Sequence, residues 1–337
     1  METYIATCIS GLEEFVAERL KRGGHVRIVR SEGGLVEFVS DLEWGRFQSV
    51  RYVTNCFMVL RRGEAKHTDE AVRAVFSASF PITKTIKEIL AGKRTFALVT
   101  AIENETVRPR EAVEAEKRLA RLFRLREVPN VPSLECWAHV RHSGWWYLCI
   151  RLTSLRKENK SRESGELRSD IANIMTLISH PHSSDVVYDP FCGSGTLLLE
   201  RGYAAPYQKM YAADNDADMV RRAEEKLARL KNVFIKIEDA AFSSLASGSV
   251  STIITDPPWG SFQKIEDPTI FYQNMLTEFA RVLRPDGVVV MLSGAKETMG
   301  VLLLGDFKNV FMLVKKYDIL YSGKKTALYK LRKNQNQ

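Results

Sequence analysis

Val187-Tyr-Asp-Pro-Phe-Cys-Gly-Ser-Gly-Thr-Leu-Leu-Leu-Glu200 decides the fold. A short apolar strand runs into a turn with glycines at 193 and 195, and a helix is expected to start near Thr196. Glycine brings backbone close to a ligand because no Cβ stands in the way. The free N–H groups of a helix start suit a carboxylate or phosphate. The next apolar strand ends at Ala213, and Asp214-Asn-Asp216 follows, with Asp214 19 residues after Gly195. An acid at that spacing is placed to accept both hydroxyls of a ribose. Asp214 comes first after the strand, whereas Asp216 is positioned to cap the helix that follows.

The same rhythm extends in both directions. Apolar runs at Val186–Tyr188, Lys209–Ala213, Val233–Ile237, Thr252–Thr255 and Gly287–Leu292 alternate with helical stretches. That is the pattern of an open, largely parallel, doubly wound α/β sheet. The third of these strands ends at Glu238-Asp239-Ala240, where Asp239 either accepts an adenine amine or closes a surface turn. No Gly-Lys-Ser/Thr occurs, which disfavours a nucleoside-triphosphate P-loop. Leu198 fills the third position of Gly-x-Gly-x-x-Gly, a departure from the nicotinamide fingerprint.

The fourth strand runs into Thr255-Asp-Pro-Pro-Trp-Gly260. Two prolines fix φ and remove two backbone donors, leaving carbonyls free to accept. Asp256 and the Pro257 carbonyl are expected to accept together from one exocyclic amine, and so to aim its nitrogen lone pair. Pro258 stiffens the turn, and Trp259 offers a face for a flat base. A purely structural turn is the plainer reading of the same residues.

The N-terminal half reads differently. Residues 3–60 suggest strand, helix, strand, strand and a last helix over Asp41–Val50, an α+β unit of ferredoxin-like type. Residues 68–153 add helices at Thr68–Phe76, Ile82–Leu90 and Arg110–Leu125, and strands at Thr95–Ile102, Leu134–Val140 and Trp145–Leu152. The third helix carries a basic face with Arg110, Lys117, Arg118 and Arg121. Leu155–Glu166 is polar and reads as a linker, with Arg156 and Lys157 near its start. The boundaries expected are 1–65, 66–154, a linker at 155–166, and 167–337.

Over 337 residues the net charge is +8, which favours a polyanionic partner. No apolar run is long enough for a transmembrane helix, and the start reads without a secretory signal. Five scattered cysteines with no CxxC pair imply free thiols in a reducing cytoplasm. His180-Pro-His182 supplies too few ligands for a metal site, so none is expected. Lys315-Lys316 and Lys324-Lys325 suit either contact with a polyanion's backbone or a solvated face.

Together these motifs resemble the class I S-adenosylmethionine-dependent methyltransferases that act on amino groups. Asp189-Pro-Phe-Cys-Gly-Ser-Gly-Thr196 is similar to their cofactor loop, and Asp256-Pro-Pro-Trp259 to their Asp/Asn-Pro-Pro-aromatic catalytic motif. Leu167–Ala172 resembles the segment over the methionine end of the cofactor, and Gly323–Tyr329 the closing hairpin strand. Ala6–Glu14, Val131–Val140 and Gly144–Leu152 resemble the ferredoxin-like and THUMP halves of RNA guanine-N2 methyltransferases. The resemblance implies a Rossmann-like methyltransferase sheet behind a THUMP-type RNA-binding region. It implies S-adenosylmethionine held by Asp189, Phe191, Gly193, Gly195, Thr196, Asp214, Asn215, Asp239 and Ala240. Asp256, Pro257, Pro258 and Trp259 are the implied catalytic residues, and Arg110, Lys117, Arg118, Arg121, Arg156 and Lys157 the RNA contacts. The implied partner is structured RNA, tRNA first, with a monomer assumed. An rRNA enzyme, a DNA amino-methyltransferase and a non-catalytic RNA-binding protein are the alternatives.

Overall fold

The computed structural model describes residues 1–103, 105–153, 166–259 and 265–335. The chain divides into two compact units, residues 1–8 with 13–154, and residues 9–12 with 155–337. Of the expected linker at 155–166, residues 155–165, with Arg156 and Lys157, lie outside the described residues, as does Gly260.

The first unit is built on β1 (Glu2–Thr7), β2 (Val26–Glu32), β3 (Leu35–Ser40), β4 (Asn55–Glu64), β5 (Thr95–Ile102), β6 (Glu105–Val107), β7 (Arg126–Glu127), β8 (Leu134–Val140) and β9 (Trp145–Arg151). Its helices are α1 (Glu13–Lys21), α2 (Thr68–Ser77), α3 (Lys84–Leu90) and α4 (Glu111–Phe123). One nine-stranded sheet runs β2-β3-β1-β4-β9-β8-β5-β6, with β7 beside β5. Strand β4 pairs with β1 on one side and β9 on the other, so the sheet is continuous across residue 65. The expected helix at Asp41–Val50 is a correction: only a single 3-10 turn forms, Trp44–Phe47. Its one buried residue, Phe47, wedges against Tyr4 and Phe38 with ring centroids 4.6 and 5.3 Å away. One anchor does not make the apolar stripe that holds a longer helix.

The second unit carries β10 (Val186–Asp189), β11 (Lys209–Asp214), β12 (Val233–Ile237), β13 (Val250–Thr255), β14 (Leu283–Ser293), β15 (Phe311–Tyr321) and β16 (Lys324–Lys333). They alternate with α5 (Ser169–Ile178), α6 (Thr196–Ala204), α7 (Ala217–Leu227), α8 (Pro268–Val282) and α9 (Lys296–Leu304). The sheet order is β12-β11-β10-β13-β14-β16-β15. The first five strands are parallel, and the β15–β16 hairpin closes the sheet antiparallel. Strand order reverses between β10 and β13, the place where an open α/β sheet leaves a crevice at its carboxyl edge. Asp216 caps α7 as expected, accepting from the N–H groups of Asp218 and Met219. Tyr188, Ile253, Tyr272, Phe279, Val289 and Met291 form the core beneath the crevice.

Arg201 of α6 is fully buried, a position that no sequence signal marks. Its guanidinium donates to the carbonyls of Ala205 (2.8 Å) and His182 (2.9 Å), and to Asp185 Oδ2 (2.9 Å). It ties the end of α6 to the turn that starts β10. Arg201→Leu strands a buried carboxylate and several carbonyls, and is expected to cost about 3–5 kcal/mol. A denaturant titration checks this; a midpoint within error of wild type would refute the staple.

Candidate active site

The turns after β10, β11, β12 and β13 converge on one cavity of about 560 Å³. Phe191, Gly193 and Thr196 line it from the first turn, Asp214 and Asn215 from the second, and Asp239 and Ala240 from the third. Asp256, Pro258 and Trp259 line it from the fourth. The topology thus brings the glycine turn and the Asp-Pro-Pro-Trp motif to one space.

The two glycines do different work. Gly193 holds φ +49, and a Cβ there would meet nothing within 4 Å, so the backbone at the turn is open to a ligand. Its N–H donates to Asp214 Oδ2 at 2.8 Å, and the Asp216 N–H donates to Oδ1 at 3.1 Å. Those bonds fix the carboxylate and leave acceptor capacity, since it offers about four lone-pair sites. Gly195, at φ +84, does not line the cavity: a Cβ there would come within 3.1 Å of the Leu227 side chain. It lets α6 pack on α7 rather than approach a ligand. Asp239 lines the cavity while accepting from the Ala241 N–H at 2.8 Å.

Asp189, expected among the ligand contacts, is completely buried and outside the cavity lining. Its Oδ1 accepts from Thr255 Oγ1 at 2.9 Å and from the Phe191 N–H at 3.2 Å, while Oδ2 is buried without a hydrogen-bond partner. It therefore knits the β10 turn to the end of β13. Burial pushes its carboxyl up to about 7, against the pull of those two bonds. Asp256 keeps part of its surface open to the cavity. Burial of its carboxyl and the Asp189 charge together push it up to about 8, against the bond from Trp259.

Trp259 is held as a plate. Its Nε1–H donates to Asp256 Oδ1 at 3.0 Å, and its ring meets Tyr321 edge-on at 6.3 Å. Gly294 makes room for it, since a Cβ there would lie 3.2 Å from the indole. The Tyr272 hydroxyl donates to the Pro258 carbonyl at 3.2 Å and shares a 2.8 Å bond with Ser293. Pro257 is buried and absent from the cavity lining, so Asp256 is the acceptor that this turn presents there. Tyr272 and Ser293 support the motif from α8 and β14, and their apolar surroundings hide them in the sequence. Glu166, Phe242, Phe271 and Asn274 also line the cavity without a motif to announce them.

The basic residues of the first unit are less uniform than their spacing suggests. Arg110, at the N-cap of α4, and Arg121, within it, are both exposed. Lys117 pairs with Glu114 at 2.7 Å. Arg118 is turned inward and donates to the carbonyls of Phe76 and Ala78, closing the end of α2.

Residues 156–309, which lie in the second unit, match the family model described as UPF0020, RMKL-like, methyltransferase domain. The U6 snRNA (guanine-N(2))-methyltransferase THUMPD2 of Bos taurus is 36% identical over 130 residues, 37% of this chain and 25% of that protein. The chain thus spans about a quarter of the length of that relative. A probable tRNA (guanine(10)-N2)-dimethyltransferase of Methanothermococcus thermolithotrophicus is 25% identical over 146 residues, 40% of this chain and 85% of that protein. The crystal structure of TrmN from Thermus thermophilus superposes with a TM-score of 0.76 at 21% identity, covering 99% of this chain and 100% of that one. The fold is shared at that level. Among the described residues no helix is long and apolar enough to cross a membrane.

The raised carboxyls make stability depend on pH. A folded carboxyl titrating near 8 keeps a proton that the unfolded chain releases near 4, so its contribution is present at acid pH and is lost as pH rises through 8. Asp256→Asn removes that titration. The variant is expected to gain about 1–3 kcal/mol over wild type between pH 5 and pH 9. Melting curves at the two pH values check it; equal shifts at both would contradict the raised carboxyl.

Proposed function

We propose that this chain is an RNA methyltransferase that places a methyl group from S-adenosylmethionine on the exocyclic N2 of a guanosine, with tRNA as the RNA and the cytoplasm as the compartment. The observation that carries the reading is the meeting of Gly193 and Asp214 with Asp256 and Trp259 in one cavity. The names of the relatives, which specify guanine-N2 in tRNA or U6 snRNA, support the choice of atom and substrate class.

The residues fit the cofactor: open backbone at Gly193, a fixed carboxylate at Asp214, and Asp239 with Ala240 at the third turn would hold its nucleoside. When bound, S-adenosylmethionine supplies an electrophilic methyl on a sulfonium. An aromatic amine is a poor nucleophile because its lone pair is delocalised into the ring. Asp256 accepts from that amine, turns its lone pair outward, and stabilises the positive charge that grows on nitrogen. Trp259 stacks on the base once it has left its helix, which is worth roughly 1–3 kcal/mol.

Methyl transfer to bulk tRNA, U6 snRNA, rRNA and DNA, followed by nucleoside analysis, tests the assignment. N2-methylguanosine from tRNA is the expected product, and no transfer to any of the four would overturn it. Asp256→Ala should lower the single-turnover rate by about 10²–10³, with S-adenosylhomocysteine affinity nearly unchanged. The wild-type rate should rise with pH to a midpoint near 8, because the deprotonated Asp256 is the working form. A flat profile with a fully active Asp256→Ala protein would sink the mechanism.

RNA docking rests on exposed basic side chains of the first unit. Arg110→Ala with Arg121→Ala should weaken tRNA binding and flatten the log K against log salt slope by about 0.7–0.9 per lost phosphate contact. Arg118→Ala should instead lower melting temperature and leave that slope alone. Reversed behaviour of the two variants would move the docking surface elsewhere.

A further inference from the structure

Beside the glycine turn sits a donor cluster in which Ser194 and Thr196 of the cofactor-loop motif meet Lys226 and Glu166, which lie outside both sequence motifs. Ser194 Oγ donates to Glu166 Oε1 at 2.6 Å, and Thr196 Oγ1 donates to the same oxygen at 3.0 Å. Lys226 Nζ also donates to that oxygen, and bonds the two hydroxyls at 2.7 and 3.0 Å. Three donors from two separate segments, the β10 turn with α6 and the far end of α7, therefore converge on one carboxylate oxygen. The lysine fixes both hydroxyl rotors by donating to their oxygens, so each hydroxyl hydrogen is left for the carboxylate. Burial raises the Glu166 carboxyl, but its bonds to Lys226, Ser194 and Thr196 outweigh this and hold it below the usual range.

The location matters as much as the chemistry. Glu166, Ser194 and Thr196 all line the cavity that Gly193 and Asp214 line, whereas Lys226 is not among the lining residues. Lys226 is a quarter exposed and Glu166 a fifth, so the pair is partly desolvated and stronger than a surface ion pair. A set of donors this complete binds carboxylates as a class, and Glu166 is simply the carboxylate that the chain itself provides.

We propose that Ser194, Thr196 and Lys226 form a carboxylate receptor at the head of α6, for which Glu166 competes with the carboxylate on the amino-acid end of the methyl donor. The inference rests on the cofactor assignment above. The receptor takes one carboxylate at a time, because its donors point at a single oxygen position. Glu166 thereby sets cofactor affinity by competition: the stronger its hold on Lys226, the weaker the cofactor binds. Release of Glu166 also frees the residue that directly follows the segment 155–165, so cofactor binding and the placement of Glu166 are linked.

Calorimetry on the full chain with two probes separates the parts. S-Adenosylhomocysteine carries the carboxylate, and 5′-methylthioadenosine carries the same nucleoside without it. Lys226→Met should weaken S-adenosylhomocysteine about tenfold or more and leave methylthioadenosine within twofold, which also shows that the variant is folded. Glu166→Ala should tighten S-adenosylhomocysteine several-fold and leave methylthioadenosine unchanged. Equal effects on the two probes, or weaker S-adenosylhomocysteine binding by Glu166→Ala, would overturn the receptor while leaving the cofactor assignment intact. Failure of the wild-type protein to bind either probe would instead remove the cofactor assignment itself.

Discussion

Everything in the second unit turns on the pairing of β10 with β13. The two run parallel, with Val187 beside Thr252 and Tyr188 beside Ile253, so both strands end at the same edge of the sheet. Asp189 closes one strand and Asp256 follows the other. The Thr255 hydroxyl bonds Asp189, and Asp189 in turn fixes the Phe191 N–H. One buried carboxyl therefore sets the relative position of the glycine turn and the Asp-Pro-Pro-Trp turn. The arrangement carries a cost, because two acids held this close and this dry cannot both ionise easily. Burial raises both carboxyls, and the Asp189 charge adds to the rise at Asp256. A fold selected for stability alone would place an amide at one of these positions.

Support from behind keeps the motif in shape. Two prolines stiffen the backbone of 256–259, but they do not choose where the turn lies. Tyr272 chooses it by holding the Pro258 carbonyl, and Ser293 holds Tyr272. Burial pushes the Tyr272 hydroxyl up to about 12, so it remains a donor across the working range of pH. Gly294 then admits the indole where any side chain would press on it. Three successive elements, β13, α8 and β14, thus each supply one constraint on four residues. Preorganisation of this kind places the reorganisation cost in folding rather than in turnover.

What the sequence makes legible follows physical range. Strand periodicity and local turn chemistry act over a few residues, so the β10 to β14 rhythm, the Asp216 cap and the shared edge of Asp214 and Asp256 are all readable. Contacts made at long separation are not. Asp189 reads as a ligand contact because it begins the motif, yet Thr255, 66 positions away, draws it inward. Gly195 reads like Gly193, but Leu227 decides its role. Arg118 reads as part of a basic stripe, while the open end of α2 uses its donors internally. The helix expected over 41–50 fails for a related reason, since its apolar residues find only one buried partner site, that of Phe47. Lys226 and Glu166, 60 positions apart, give no local signal at all.

Charge is distributed in a way that separates holding from reacting. The chain as a whole carries +8, yet among the described residues Glu166, Asp214, Asp216, Glu238, Asp239 and Asp256 line the cavity, against the single basic residue Arg222. On the RNA reading proposed above, this acidic lining would disfavour the entry of phosphates. Under that reading phosphates would stay on the surface, where salt screens them over about 8–10 Å, and an uncharged base extruded from its helix would enter without that penalty. A cation entering the same cavity meets the opposite field. It lowers the energy of the ionised acids around it and so favours release of the proton that Asp256 holds at neutral pH. Binding of a positively charged ligand and deprotonation of the acceptor are therefore coupled in one direction: each promotes the other, as linkage requires. On the function proposed above, the acidic lining would convert the burial cost of Asp189 and Asp256 into selectivity, since what relieves it is a positive charge placed beside Asp256.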